Sequence, residues 1–220
     1  MGQLGVLGLG SRSTLFYIEK LNELYLSNKG AYSTCPFMLL NADFNKINPY
    51  LPDQFSELKQ PVQRYLTSLE ESSVSAILVP NITLHEAIDQ FWDTSKVIHP
   101  LTLTINQLLR DSRKEVVIIG SYYTVQSDYL LSALKSNDIR VVDITREEIG
   151  FVDNVRRNVY AAKEVEGEIT KYNQLISQYA KKYAVVIACT ELSIVNKNAA
   201  HSLIYDMAYL QLEKAIEWVT

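Results

Sequence analysis

The chain has 220 residues, of which 47% are hydrophobic and 21% charged. This composition excludes a disordered or collagen-like protein and leaves room for one large domain or two small ones. The formal charge of −4 provides no positive surface for a phosphate backbone, so we expect no nucleic-acid partner. The apolar runs are short and no signal peptide is recognisable, which predicts a cytoplasmic protein outside the membrane. Two cysteines, Cys35 and Cys189, are too few for a disulfide framework or a four-ligand zinc site, and we expect no metal.

Predicted strands and helices alternate along the chain. The first strand, at 3–9, ends in a glycine-rich turn, and a helix follows from about Ser13. Further strands are predicted at 37–40, 74–79, 97–99, 115–119, 139–142, 184–188 and 203–205, with helices at 55–69, 84–91, 103–110 and 207–219. Continuously apolar strands between amphipathic helices indicate parallel sheets covered on both faces, and therefore an α/β fold.

The two halves of the sequence resemble each other in three places. The matching segments are 4–14 with 116–124, 76–84 with 185–192, and 96–99 with 202–205. Apolar strands of any α/β protein match by chance, but three matches in the same order favour a duplication. We therefore expect two pseudo-symmetric lobes.

Small neutral hydrogen-bonding side chains follow most of the predicted strands. They are Ser11, Ser13, Asn41, Asn81, Thr83, Ser121, Thr124 and Thr190, together with Arg12 and Cys189. Ligands of open α/β sheets bind beyond the carboxyl ends of the strands. Such donors, with helix N-terminal amides, suit a carboxylate. We expect these residues to line a cleft between the two lobes.

Four segments, in this order, resemble the aspartate/glutamate racemase family: 8–14, 81–85, 121–127 and 188–192. The most specific is Cys189-Thr190-Glu191-Leu192, and the resemblance covers nearly the whole chain. It implies two pseudo-symmetric lobes, each a mostly parallel four-stranded sheet flanked by helices, with the active site in the cleft between them. The implied first lobe is 1–101 plus 199–220, the second is 102–198 with Cys189, and the protein is a homodimer.

The resemblance also implies racemisation of aspartate or glutamate without pyridoxal phosphate or any other cofactor. One cysteine removes the α-proton and a second returns a proton on the opposite face, while donors on the carboxylate stabilise the developing charge. A cysteine at a strand end and helix start can have a lowered pKa, which fits Cys189. The expected substrate-binding residues are Ser11, Arg12, Thr14, Asn41, Ser121, Thr124, Lys163 and Thr190. Of these, Arg12 and Lys163 also fit ordinary exposed helix positions.

The first family cysteine is missing. Alignment on Thr83 and His85 puts Asn81 at its position, and asparagine exchanges no proton near neutral pH. Cys35 precedes the strand at 37–40 and falls at the end opposite the cleft. We therefore predict Cys189 as the remaining acid/base, with Thr83 or a water held by Asn81 as its atypical partner.

Two alternatives remain open at this point. The first is a one-cysteine decarboxylase of a malonate-like acid, in which the thiol protonates the carbanion left by loss of carbon dioxide. The second is a degenerate member that binds a carboxylate without turnover. Exchange of an α-proton with solvent, without inversion, would separate one-sided deprotonation from racemisation and from inert binding.

Overall fold

A computed structural model describes residues 2–198 and 201–220. The contacts between residues divide the chain into two units, Met1–His99 with Gln211–Thr220, and Pro100–Leu210. Each unit has a parallel sheet flanked by helices, which confirms the predicted α/β class. Within the described parts of the chain, no helix combines the length and the apolar character that a membrane span requires.

The first unit has a three-stranded sheet in the order β2-β1-β3, with all strands parallel. Its strands are β1 (Leu4–Gly8), β2 (Phe37–Asn41) and β3 (Ala76–Leu78), and its helices are α1 (Ser11–Lys29), α2 (Phe55–Glu71) and α3 (Leu84–Phe91). Leu58, Val62, Leu66 and Leu69 follow one face of α2 and are buried. They pack in one apolar cluster with the sheet residues Leu7 and Ile77, which holds α2 in place.

The second unit has a four-stranded parallel sheet in the order β5-β4-β6-β7. Its strands are β4 (Glu115–Ile119), β5 (Arg140–Val141), β6 (Ala184–Ile187) and β7 (Ile204–Asp206). Its helices are α4 (Pro100–Arg110), α5 (Asp128–Lys135), α6 (Arg146–Tyr160), α7 (Glu166–Tyr179) and the short α8 (Thr190–Ile194). The last helix, α9 (Met207–Val219), begins in this unit and continues in the first from Gln211 onward.

The two sheets have corresponding strand orders, which supports the predicted duplication. Strands β1 and β4 occupy equivalent places, each between its own second and third strand. Each of them leads into a glycine against which a threonine packs. A Cβ at Gly8 would lie 3.1 Å from Cγ2 of Thr14, and a Cβ at Gly120 would lie 3.1 Å from Cγ2 of Thr124. The repeated turn therefore has the same tight contact in both units.

The first sheet differs from the prediction of four strands. The expected strand at 97–99 contributes only one bridge, between Ile77 and Val97. A short 3-10 helix precedes it at Thr94–Lys96, and α4 begins at Pro100. The segment between these helices is too short for a full strand, so this sheet has three strands among the described residues.

The end of the second unit also differs from the predicted division, in which the chain returned to the first lobe at residue 199. Strand β7 pairs with β6, and Ile187 lies opposite Asp206. This pairing keeps the chain in the second unit as far as Leu210. The other boundary lies between His99 and Pro100, compared with the predicted 101/102.

Candidate active site

Cys189 lies just beyond the carboxyl end of β6 and is the residue before α8. Its side chain is almost fully covered, since Cys189 is 8% exposed. Its Sγ donates a hydrogen bond to Oε2 of Glu191 at 3.1 Å. A thiol thus faces a carboxylate that can accept its proton.

The pKa of Cys189 is raised well above its ordinary value. Burial is the main cause, and the charge and hydrogen bond of Glu191 add to it, while the positive charge of Arg156 acts in the opposite direction. The expected lowering of this pKa is therefore wrong. Helix α8 has only five residues and thus a small dipole, so burial and Glu191 determine the ionisation.

Hydroxyl groups lie at the same edge of the second sheet. Because Ile119 pairs with Ile187, the chain leaves β4 and β6 at neighbouring points. After β4, the hydroxyls of Ser121 and Thr124 are 2.7 Å apart, and Ser121 Oγ also accepts from the Thr124 N–H at 3.1 Å. After β6, Thr190 is 3% exposed, and its Oγ1 has no hydrogen-bond partner in the part of the chain that the structure describes.

A partly buried ion pair on α6 belongs to the surroundings of Cys189, and it was not predicted. Arg156 donates from Nε to Oδ1 of Asp153 at 2.8 Å. The Tyr122 N–H donates to the same oxygen at 3.4 Å, which ties the turn after β4 to α6. Helix α6 packs against α8, and this brings the charge of Arg156 close enough to affect Cys189.

Asp206 is a second residue that the sequence analysis missed. It is buried at the end of β7 and caps α9, because Oδ1 accepts from the N–H groups of Ala208 and Tyr209 at 3.0 and 3.4 Å. It also accepts from Ser193 Oγ at 2.7 Å and from Asn196 Nδ2 at 3.3 Å. Burial raises its pKa to about 6, although these hydrogen bonds oppose the shift. An aspartate directly before a predicted helix was the signal that could have found this cap.

In the first unit, Asn81 and Thr83 follow β3 and lead into α3. Asn81 Oδ1 accepts a hydrogen bond from the backbone N–H of Leu84 at 3.0 Å. Thr83 is partly buried and has helical backbone angles. The position expected to carry the first cysteine therefore holds a helix-capping residue.

The remaining predicted residues of the first unit lie at the carboxyl ends of β1 and β2. Thr14 Oγ1 accepts from the Leu9 N–H at 3.0 Å, which closes the glycine-rich turn. Asn41 ends β2 with its Oδ1 beside Gly8. Ser11 is exposed and Arg12 partly buried in the first turn of α1.

The buried His85 is part of a histidine network in the same unit. The rings of His85 and His99 meet edge to face at 4.8 Å, and Nε2 of His99 lies 3.4 Å from Oδ1 of Asp89. Nε2 of His85 lies 3.3 Å from the Val79 carbonyl oxygen. Burial, and then the charge of His99, lowers the pKa of His85 to about 3, so its ring is neutral at physiological pH. This supports a packed, structural histidine.

Gln211 joins this network from α9. It accepts from the Tyr17 hydroxyl at 2.6 Å and donates to the Ile98 carbonyl oxygen at 2.6 Å. Its Nε2 also lies 3.4 Å from Nε2 of His85. The glutamine therefore fixes α9 against α1 and the 97–99 segment within the first unit.

The sequence matches no family model and no curated protein. Solved structures, however, match it over nearly its whole length. An aspartate racemase homologue from Pyrococcus horikoshii has a TM-score of 0.81 at 18% identity, covering 100% of this chain and 99% of that one. Aspartate racemase from Picrophilus torridus has a TM-score of 0.78 at 18% identity, with 99% and 94% covered. Glutamate racemase from Francisella tularensis, in complex with D-glutamate, has a TM-score of 0.58 at 16% identity, with 98% and 80% covered.

The chain has the fold of the aspartate and glutamate racemases. Within this racemase fold, the two remaining residues of interest lie away from the strand ends described above. Lys163 is exposed in the turn after α6. Cys35 is buried ahead of β2, at the amino end of the parallel sheet, and burial raises its pKa to about 11. As expected from the sequence, Cys35 lies at the end of the sheet opposite Asn41.

The described residues form no cluster of metal ligands, and a polar groove on α7 lies away from Cys189. Among residues 2–198 and 201–220, no three His, Cys, Asp or Glu side chains are grouped so that they could hold a metal ion. A surface groove of about 640 Å³ follows α7 and is lined by polar side chains together with Lys181 and Lys197. Cys189, Thr190 and Arg156 do not line it, so this groove is separate from the candidate site.

Proposed function

We propose that this chain is a racemase-type enzyme that transfers a proton at the α-carbon of a small amino acid such as aspartate or glutamate, with Cys189 as the acid/base. The observation that carries the proposal is the hydrogen bond from Cys189 Sγ to Glu191 Oε2 at 3.1 Å. It sits in a fold shared with racemases of both amino acids. A thiol beside a carboxylate can lose its proton locally without help from a metal or cofactor.

The proposed reaction begins with transfer of the Cys189 proton to Glu191. The resulting thiolate takes the α-proton, and the electron pair left on the α-carbon is delocalised into the substrate carboxylate. Hydrogen-bond donors must stabilise that charge, and the nearest candidate in sequence is the Thr190 hydroxyl, which has no partner among the residues that the structure describes. Ser121 and Thr124 supply further hydroxyls at the same sheet edge.

Return of a proton with inversion requires a second donor. Thr83, or a water bound by Asn81, is our proposed partner for that step. The Oδ1 of Asn81 is occupied by the Leu84 N–H, so the Nδ2 of Asn81 is the group left to hold a water. Ser11, Arg12, Thr14, Asn41 and Lys163 remain proposed substrate-binding residues.

The raised pKa of Cys189 favours a second candidate function, decarboxylation of a malonate-like acid. That reaction needs a resting thiol rather than a thiolate, and burial and Glu191 keep Cys189 protonated. Loss of carbon dioxide leaves a carbanion, which takes the thiol proton, and Glu191 then relays a solvent proton to the thiolate. Decarboxylation needs no second acid/base, which agrees with the presence of asparagine, and not cysteine, at position 81. A third candidate is binding of a carboxylate without turnover.

Proton NMR in deuterated water tests the three candidates. The protein is incubated with L- and D-aspartate, L- and D-glutamate and a substituted malonate, and the α-proton signal, the chirality and the carbon dioxide released are followed. Exchange with inversion supports racemisation, and release of carbon dioxide supports the decarboxylase. Exchange with retained configuration indicates that Cys189 works on one face only. No change with any compound indicates binding without turnover or a different carboxylate.

Variants connect the activity to Cys189. Cys189→Ala and Cys189→Ser are expected to abolish turnover while the protein stays folded, and Cys35→Ser is expected to retain it. Full activity in a folded Cys189→Ala protein would remove this thiol from the mechanism. Circular dichroism of each variant supplies the folding control.

Three further parts of the proposal rest on the family resemblance. The reaction proceeds without pyridoxal phosphate, the protein is a homodimer, and its location is the cytoplasm. Insensitivity to hydroxylamine, which removes pyridoxal phosphate from enzymes, tests the first, and sedimentation velocity tests the second. Cell fractionation tests the third.

A further inference from the structure

The ion pair on α6 contains a guanidinium that the proposed reaction has not used. Asp153 is buried and bonds two arginines: Nε of Arg156 at 2.8 Å from Oδ1, and Nη2 of Arg157 at 3.0 Å from Oδ2. Two positive charges thus share this carboxylate, and the charge of Glu191, beside Cys189, also acts on Arg156. The Arg157 side chain is 65% exposed, whereas that of Arg156 is 26% exposed. Arg156 is therefore the less exposed of the two guanidinium groups.

Asp153 occupies only one edge of the Arg156 guanidinium. Its bond goes to Nε, and no hydrogen bond joins the two terminal nitrogens to any other residue that the structure describes. Asp153 also accepts a hydrogen bond from the Tyr122 N–H, so the carboxylate that holds Arg156 is itself held in place. A guanidinium with both terminal nitrogens available can bind a carboxylate with two parallel hydrogen bonds.

Arg156 lies close enough to Cys189 for its charge to act on the reacting thiol. Burial and Glu191 raise the pKa of Cys189, and the positive charge of Arg156 lowers it, which places this charge within electrostatic reach of the sulfur. A second, independent observation comes from Thr190, the residue after Cys189. Its hydroxyl is buried and has no partner among the described residues, although buried hydroxyls are normally hydrogen-bonded.

We propose that Arg156 is the residue that binds a carboxylate group of the ligand beside Cys189, with the Thr190 hydroxyl as a second donor. The ligand class is a small carboxylic acid. This inference rests on the proposed function, because it takes the surroundings of Cys189 to be the reacting site. In this arrangement Asp153 and Tyr122 are positioning groups, since they hold Arg156 and touch no ligand.

Alkylation of Cys189 by two matched reagents tests the proposal without relying on turnover. In both reactions the thiolate displaces iodide from a CH₂ group, but iodoacetate has a carboxylate where iodoacetamide has a neutral amide. Rates are measured by mass spectrometry of the Cys189 peptide, which separates it from Cys35. The ratio of the two rates is the readout, because any change in the pKa of Cys189 affects both rates equally and cancels.

The expected result distinguishes Arg156 from its neighbour. Arg156→Gln should lower the ratio of the iodoacetate rate to the iodoacetamide rate by about tenfold, as expected for loss of a charge-assisted hydrogen-bond pair. Arg157→Gln loses a bond to the same Asp153 but should change the ratio by no more than about twofold, since its side chain is exposed. Arg156→Lys keeps the positive charge but cannot form the two parallel hydrogen bonds of a guanidinium. Its rate ratio should therefore lie between those of Arg156→Gln and Arg157→Gln.

Binding of succinate, aspartate and glutamate, measured by calorimetry, is the second readout. Arg156→Gln should weaken it by about tenfold and Arg157→Gln by no more than about twofold. An unchanged ratio and unchanged binding in folded Arg156→Gln would overturn the proposal, as would equal losses in the two variants. A wild-type protein that binds none of these acids and is not alkylated by iodoacetate at Cys189 would overturn it as well. An Arg156-dependent preference for iodoacetate without α-proton exchange would instead reject the racemase and keep the carboxylate site.

Discussion

The side-chain oxygen of Asn81 accepts a hydrogen bond from the backbone N–H of Leu84, the first residue of α3, at 3.0 Å. The first N–H groups of a helix have no partner within the helix, and asparagine is among the residues that best satisfy them. Asn81 therefore has a structural role that does not depend on chemistry. A cysteine at this position would lose that cap.

The cap makes a stability prediction. Asn81→Ala should lower the free energy of unfolding by about 1 kcal/mol, because a helix donor loses its partner. Asn81→Asp keeps an acceptor oxygen and should stay close to the wild type. Urea denaturation at neutral pH measures both variants, and equal stabilities for wild type and Asn81→Ala would show that the cap contributes nothing.

Restoring the missing thiol tests the alignment of the first lobe. Asn81→Cys should create or raise racemisation of aspartate or glutamate, followed by a chiral assay. Asn81→Ser is the matched control, because the serine side chain is similar in size to that of cysteine but has a capping oxygen in place of the thiol. A folded Asn81→Cys protein with no gain over Asn81→Ser would argue that Asn81 does not occupy the family's cysteine position.

Glu191 should control the ionisation of Cys189. After burial, the charge and hydrogen bond of this carboxylate are what raise the pKa of the thiol. Glu191→Gln should therefore move the midpoint of Cys189 alkylation by iodoacetamide to lower pH. Glu166→Gln, which changes an exposed glutamate paired with Lys197, is the control and should leave the midpoint in place. A midpoint that stays unchanged in Glu191→Gln would mean that burial alone sets the pKa.

His85 predicts a loss of stability in acid. Its pKa is about 3 in the folded protein, compared with an ordinary value of 6.5 in an unfolded chain. Below pH 6.5 the His85 ring is protonated in the unfolded state but stays neutral in the folded state. This group therefore lowers the free energy of unfolding by about 1.4 kcal/mol per pH unit until the pH approaches 3. The free energy of unfolding of His85→Gln relative to the wild type should therefore rise by about 1.4 kcal/mol per pH unit as the pH falls from 6 to 4 in urea titrations, whereas replacing the exposed His201 by glutamine should leave the wild-type profile unchanged.

Asp206 should act in the opposite direction over part of the same range. Its pKa is about 6 in the folded protein and ordinarily 3.8, so between these values the folded state binds the additional proton. Its contribution to stability is full at low pH and is lost as the pH rises through 6. The two groups therefore offset each other between about pH 4 and 6. Asp206→Asn should expose the acid sensitivity of His85, and a pH profile as flat as that of the wild type would contradict this account.

The sequence was most informative where one local pattern was strong. Helix α3 and strand β4 have the predicted bounds, because a clear amphipathic period and a continuous apolar run define them. The apolar residues at 97–98 favour a strand, but α4 begins at Pro100. The segment therefore forms one bridge to Ile77 and not the predicted strand. Strand β7 pairs with β6, as the match of 202–205 with 96–99 implied, whereas the predicted return to the first lobe at residue 199 would have removed it from this sheet.

One part of the candidate site could be predicted from the sequence and another part could not. The motif at 189–192 located the cysteine, since its residues are adjacent in the chain. Arg156 and Asp153 stand more than thirty residues before Cys189 and reach its surroundings only through the packing of α6 against α8. The direction of the Cys189 pKa shift could not be predicted either, because it depends on burial and on the distance to one carboxylate.

The protonated state of Cys189 has a consequence for redox chemistry. Peroxide and disulfides react with thiolates far faster than with thiols, and exposure increases the rate further. Both cysteines of this chain are buried and have raised pKa values. The protein should therefore resist oxidation to sulfenic acid and retain two free thiols in air without added reductant.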